Sequence, residues 1–147
     1  SGERPMIFPL SNPTANSECT PADALAWTGG RAIIASGSPF PGIAQCNNMY
    51  IFPGMGLAAL VSGARRITDG MFRAAATTLA GLSSGDQLYP PLGEIRRISA
   101  AIAFAASKCA QAEEVADPVD DATLRTRIAA AMWDPTYVPY RRSPSQT

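Results

Sequence analysis

Residues 6–36 read MIFPLSNPTANSECTPADALAWTGGRAIIAS, and this stretch decides the fold class. Met6-Ile7-Phe8-Pro9-Leu10 is a short apolar run closed by the turn-rich Ser11-Asn12-Pro13-Thr14, the pattern of a buried strand entering a loop. Thr20-Pro21-Ala22-Asp23 carries a helix-start signature, with Thr at the N-cap, Pro at the first helical position and an acid two residues later. A short helix to about Trp27 follows, and Gly29-Gly30 ends it. Arg31-Ala32-Ile33-Ile34-Ala35-Ser36 is a second apolar run, stopped by Gly37-Ser38-Pro39-Phe40-Pro41-Gly42. Strand, helix and strand within about 30 residues predict a βαβ unit with two parallel neighbouring strands. Two strands make no stable sheet, so further strands are expected from elsewhere in a longer chain or from a second chain.

Beyond Asn47-Asn48 the periodicity changes. Met55, Leu57, Ala58, Leu60 and Val61 are apolar nearly all round a helix from about Pro53 to Arg65, which predicts burial on several sides. Thr68 or Asp69 caps a helix through about Leu82, with Met71, Phe72, Ala75 and Leu79 inward. After Tyr89-Pro90-Pro91 a long helix is expected from about Leu92 to Val115, because Ile95, Ile98, Ile102, Ala105 and Cys109 recur every three or four residues. Asp120 or Asp121 caps a last helix through Met132, packed through Leu124, Ile128 and Ala131. From Trp133 the chain reads as an extended tail whose end is disordered. The expected class is α/β: a fragment of a Rossmann-like parallel sheet over 1–46, a mainly helical region over 47–132, and a tail over 133–147.

Composition narrows the chemistry. The 147 residues are 46% hydrophobic and 16% charged with zero net formal charge, which gives neither the signature of disorder nor a field for nucleic acid or anionic lipid. The Arg65-Arg66, Arg96-Arg97 and Arg141-Arg142 pairs are scattered and read as solvated surface. No stretch approaches a membrane span and no signal peptide is visible. Three cysteines, Cys19, Cys46 and Cys109, are too few and too far apart for a disulfide framework or a Cys-x-x-Cys clamp, so a cytoplasmic location is expected. Without a single histidine, the chain offers no imidazole base, triad or imidazole metal ligand. Lys108 is its sole lysine. Neither a Gly-x-Gly-x-x-Gly fingerprint nor a phosphate loop occurs.

Ligands of open parallel sheets bind beyond the carboxyl ends of the strands. Two polar loops are expected there, Ser11-Asn12-Pro13-Thr14 and Ser36-Gly37-Ser38. Asn12 and Thr14 either satisfy turn backbone or face a ligand. Asn47-Asn48 either makes local Asx turns or donates to a ligand carboxylate without adding charge. Tyr50, Tyr89 and Trp133 read as packing groups with polar tips. Cys46 has no activating neighbour in sequence. Glu113-Glu114 and Asp120-Asp121 read as helix-end charges rather than metal ligands.

Longer strings are more specific than these single residues. Ile7-Phe8-Pro9-Leu10-Ser11-Asn12-Pro13-Thr14, Glu18-Cys19-Thr20, Gly30-Arg31-Ala32, Ala35-Ser36-Gly37-Ser38-Pro39-Phe40, Asn47-Asn48-Met49-Tyr50-Ile51-Phe52-Pro53-Gly54, Leu88-Tyr89-Pro90-Pro91-Leu92 and Met132-Trp133 stand in that order. Nearly the whole chain thus resembles the carboxy-terminal part of malic enzymes, the oxaloacetate-decarboxylating malate dehydrogenases. The resemblance implies oxidation and decarboxylation of L-malate to pyruvate with NAD or NADP and with magnesium or manganese. It implies that Asn12, Asn47 and Asn48 contact malate and that Ser11, Asn12, Ser36 and Gly37 line the cofactor. No catalytic residue and no metal ligand carries over, because the family's tyrosine acid, lysine base, metal-binding carboxylates and glycine-rich loop lie upstream of Ser1. The upstream half of the enzyme is therefore an expected partner, along with further copies in a homo-oligomer, and the chain alone is expected to be inactive. Between Phe40 and Asn47 the family has a longer hairpin-like insertion ending in Gly-Gln-Gly, where this chain has only Pro41-Gly42-Ile43-Ala44-Gln45-Cys46. The alternative function is a structural or interaction module that kept the fold without the chemistry.

Overall fold

In the computed structural model, which describes residues 3–85 and 87–137, the first helix forms as its capping residues dictate. Thr20 Oγ1 accepts from the Asp23 N–H and the Asp23 carboxylate accepts from the Thr20 N–H, both at 3.2 Å, so two orphan donors of the helix end are satisfied reciprocally. This helix, α1 (Pro21–Trp27), connects strand β1 (Met6–Ile7) to strand β2 (Ile33–Ser36). The strands are parallel, with Met6 opposite Ile33 and Ile7 opposite Ile34, so the βαβ unit is present. β1 stops three residues earlier than the apolar run, since Pro9 has no N–H for a ladder. Its carbonyl still accepts from Gly37 N–H at 2.9 Å and keeps the two segments together beyond the strands.

A third strand, β3 (Ala44–Gln45), was not expected. It pairs parallel with β2, Ala35 opposite Ala44 and Ser36 opposite Gln45, giving the order β1-β2-β3. The short loop from Gly37 suffices as a connection because the paired segments are two residues long and the return spans only about 7 Å, at 3.3 Å per residue. The segment that read as a shortened loop therefore widens the sheet.

The helical part follows the predicted order: α2 (Phe52–Ser62), α3 (Asp69–Leu82), α4 (Ile95–Ala112) and α5 (Asp121–Ala131). Thr68 and Asp120 cap α3 and α5 by accepting from Met71 N–H and Thr123 N–H. Leu92–Glu94 forms a 3-10 turn ahead of α4. Met71, Ile98, Ile102 and Leu124 are fully buried at the centre, each contributing about 1.5–3 kcal/mol of burial. α2 and α4 approach closely at Gly54, where a Cβ would lie 2.7 Å from Ile102 Cγ2 and 3.0 Å from the Ser99 carbonyl.

Four packing expectations are corrected, one of them on α5, where Leu124 and Ile128 face in but Ala131 is exposed. On α4 the inward stripe is Ile98, Ile102, Ala103, Ala106 and Ala110 with Ser99 and Ser107, while Ile95, Ala105 and Cys109 are only half buried. α4 packs against α2, α3 and α5, so its buried sector is wider than one stripe and small residues fill it. Phe72 is exposed on α3, whereas Met71, Ala75 and Leu79 face in. α2 is not buried all round: Phe52 and Leu60 stand 74% and 81% exposed on its outer face. Trp133 to Tyr137 has no regular structure, and the last few residues, expected to be disordered, lie with the Arg141-Arg142 pair outside the described residues.

Candidate functional site at the carboxyl edge of the sheet

All three strands run the same way, so their exits share one edge. Gly37 brings the first two together. A Cβ at this position would sit 2.1 Å from the Leu10 carbonyl oxygen, so only a glycine lets the β1 exit press against the β2 exit. Ser38, 1% exposed, spans the contact: its Oγ lies 3.1 Å from Asn12 Oδ1 and 3.3 Å from the Ser11 carbonyl. Its own N–H donates to Ser36 Oγ at 3.2 Å.

Ser11, Asn12, Ser36 and Gly37 are thus one connected cluster. Asn12 is at the surface with its oxygen tied inward. Ser36 and Gly37 are buried behind it; the Ser36 oxygen accepts from Ser38 N–H, and the Gly37 N–H is committed to the Pro9 carbonyl. Ser11 donates its hydroxyl to Glu18 Oε1 at 2.6 Å and its N–H to Oε2 at 3.3 Å. The Ser11 hydroxyl, followed by backbone N–H groups, holds the Glu18 carboxyl below the usual carboxylate range.

The amide pair enters from the third strand. Cys46 N–H donates to the Ser36 carbonyl at 2.8 Å, which brings Asn47 out along the same edge. Asn47 is half buried, and its Oδ1 caps the following 3-10 turn by accepting from Met49 N–H at 3.0 Å. The local-turn reading therefore holds for that oxygen, and the amide NH2 remains as its outward donor. Asn48 is exposed beside it. A cavity of about 280 Å³ opens next to Asn47, walled by Cys46, Tyr50, Leu79, Leu88 and Tyr89.

The other titratable groups near this edge serve packing. Tyr50 donates to the Pro90 carbonyl at 2.8 Å and stacks on Tyr89 with ring centroids 5.2 Å apart. Burial pushes both phenols up, and at Tyr89 the bond to Cys46 Sγ adds to it, so neither is an acid poised for neutral pH. Lys108 is exposed on α4 and paired with Asp121 at 2.9 Å. Among the described residues no three His, Cys, Asp or Glu side chains are grouped to hold a metal ion, so their donor set does not fit magnesium or manganese. No helix among them is long and apolar enough to cross a membrane. Sequence reasoning missed roles for Ser38 and Glu18. Both lie in motif strings quoted above, but their partners are set by the folded loops.

Comparison with known proteins gives a consistent result. The family described as malic enzyme, NAD binding domain, matches residues 1–111. The NAD-dependent malic enzyme of Idiomarina loihiensis is 47% identical over 154 aligned positions, covering 95% of this chain and 27% of that protein. That of Psychromonas ingrahamii is 44% identical over 155 positions, covering 96% and 28%. Both alignments are longer than the 147-residue chain, so these relatives carry residues with no counterpart here. The crystal structure of the malic enzyme from Pyrococcus horikoshii superposes with a TM-score of 0.69 at 31% identity, over 85% of this chain and 28% of that one. The chain spans little more than a quarter of the length of the curated relatives it matches.

Proposed function

The chain belongs to the malic enzyme NAD-binding domain family, and from that premise we propose that it is the carboxy-terminal portion of an NAD-dependent malic enzyme, which presents neutral amides to L-malate beside the cofactor. The observation that carries this reading is the polar cluster at the carboxyl edge, where Asn12, beyond β1, is fixed from behind by Ser38 and Asn47 emerges beyond β3 on the other side of β2. In the complete enzyme bound NAD supplies the hydride acceptor for the malate C2 carbon. The groups of this chain orient the substrate. Asn12 and Asn47 offer amide hydrogens to its carboxylates and hydroxyl, and neutral donors of this kind place no fixed charge beside the nicotinamide. Asn48 flanks them. Ser11, Ser36 and Gly37 shape the cofactor side of the crevice, in line with the rule that open parallel sheets bind ligands at this edge.

Proton transfer, the divalent cation and the remaining strands fall to the rest of the enzyme on this reading, as does any homo-oligomeric assembly in the cytoplasm. Residues 1–46 complete the nucleotide-binding domain, 47–132 pack on the catalytic domain, and the tail follows. The test is Asn12→Ala in the complete enzyme. Loss of one substrate-facing donor lowers kcat/KM for malate by about 1–3 kcal/mol of transition-state stabilisation, with the unfolding temperature nearly unchanged. A variant that unfolds while its folded fraction keeps full kcat/KM shows instead that Asn12 serves only the turn.

A further inference from the structure

The hydrogen-bond accounting at the edge assigns a role to a residue that the proposed reading leaves aside. Ser38 is buried, and its hydroxyl carries a single hydrogen. Of its two acceptors the Asn12 side-chain oxygen, at 3.1 Å, is nearer than the Ser11 carbonyl, at 3.3 Å. An Asn side chain has one acceptor end and one donor end, so anchoring the oxygen inward turns the NH2 outward. Left free, the amide of an exposed Asn would also sample the opposite face, directing a partial negative charge at a dianionic substrate. The anchor is itself held in place: Ser38 N–H donates to Ser36 Oγ, Gly37 N–H to the Pro9 carbonyl, and the space at Gly37 is filled by the Leu10 carbonyl. On the other side of the loop, Asn16 Nδ2 donates to the Asn12 carbonyl at 3.4 Å.

We infer that Ser38 is a positioning residue for malate, acting through Asn12 by fixing which end of its amide faces the substrate. This rests on the reading that Asn12 faces malate, and the two stand or fall separately in a double-mutant cycle on the complete enzyme. Ser38→Ala lowers kcat/KM for malate about tenfold, the orienting worth of one hydrogen bond, while KM for NAD stays within about twofold. In an Asn12→Ala background the same change adds less than about twofold, because the residue it acts through is gone. Multiplication by the full factor in both backgrounds, or a Ser38→Ala enzyme with unaltered malate kinetics, overturns the role of Ser38 and leaves that of Asn12 intact. An Asn12→Ala enzyme with full activity overturns both. Asn12→Asp covers the case in which Ser38→Ala does not fold, since Asp still accepts from Ser38 but has no NH2. It is impaired at least as much as Asn12→Ala if the donor end faces malate, and wild-type activity of Asn12→Asp refutes the inference.

Discussion

Replacing Gly37 by Ala places a methyl group 2.1 Å from the Leu10 carbonyl oxygen, a backbone atom with no rotamer to retreat into. The exits of β1 and β2 must separate by about 1 Å to reach even a tight contact, since unstrained carbon contacts lie near 3.5 Å. Two donated hydrogens cross that gap: Gly37 N–H to the Pro9 carbonyl at 2.9 Å, and the single Ser38 hydroxyl hydrogen, whose oxygen lies 3.1 Å from Asn12 Oδ1 and 3.3 Å from the Ser11 carbonyl. At about 0.5–1.5 kcal/mol each, losing both costs about 1–3 kcal/mol of stability. Asn12 moves with the Leu10 to Pro13 segment, and a displacement of about 1 Å in a substrate-orienting group costs on the order of a hundredfold in rate. Thermal unfolding and malate kinetics of Gly37→Ala in the complete enzyme measure the two effects together. An enzyme with the wild-type unfolding temperature and kcat/KM would refute the close approach of the two loops as the organising feature of the edge.

Two further outcomes follow from the same structure. Because the Ser11 hydroxyl lowers the Glu18 pKa in the fold, the carboxylate contributes stability that is fully present above its ordinary value of 4.5 and lost as pH falls through the folded value. A carbon NMR titration of the Glu18 carboxyl should find its midpoint below that ordinary value, and Ser11→Ala should move it back up; an unmoved midpoint contradicts the Ser11 clamp. Met6, Trp27, Phe52 and Leu60 are all exposed, and β1 is an edge strand, so the isolated chain at about 50 μM should self-associate or bind ANS. Sedimentation as a compact, dye-free monomer contradicts this.

Local rules made most of the fold legible. The capping box at Thr20 and Asp23 and the caps at Thr68 and Asp120 placed α1, α3 and α5 within a residue or two, and the apolar runs gave the βαβ unit with β1 three residues too long. β3 escaped because two residues carry no alternation, and its flanks, Pro41-Gly42 and Asn47-Asn48, read as loop. The wide buried sector of α4 escaped because alanines and serines give no periodic signal, and three neighbours decide how much of the helix is covered. At the edge, the polar loops and the amides were readable as residue types with two possible roles. The bond from Ser38 to Asn12 spans 26 residues and the clash at Gly37 involves the Leu10 backbone, both products of tertiary closure that spacing does not encode.

Malate-dependent NADH formation with pyruvate release, followed in parallel for the complete enzyme and for the 147-residue chain alone, bears most directly on the assignment. The complete enzyme should form NADH and pyruvate in equal amounts. The chain alone should form neither, with or without added magnesium or manganese, because its lysine is paired at the surface and its described carboxylates do not cluster around a cation. Turnover by the chain alone, or a complete enzyme that reduces no NAD with malate, would contradict a role as the malate-orienting portion of a malic enzyme.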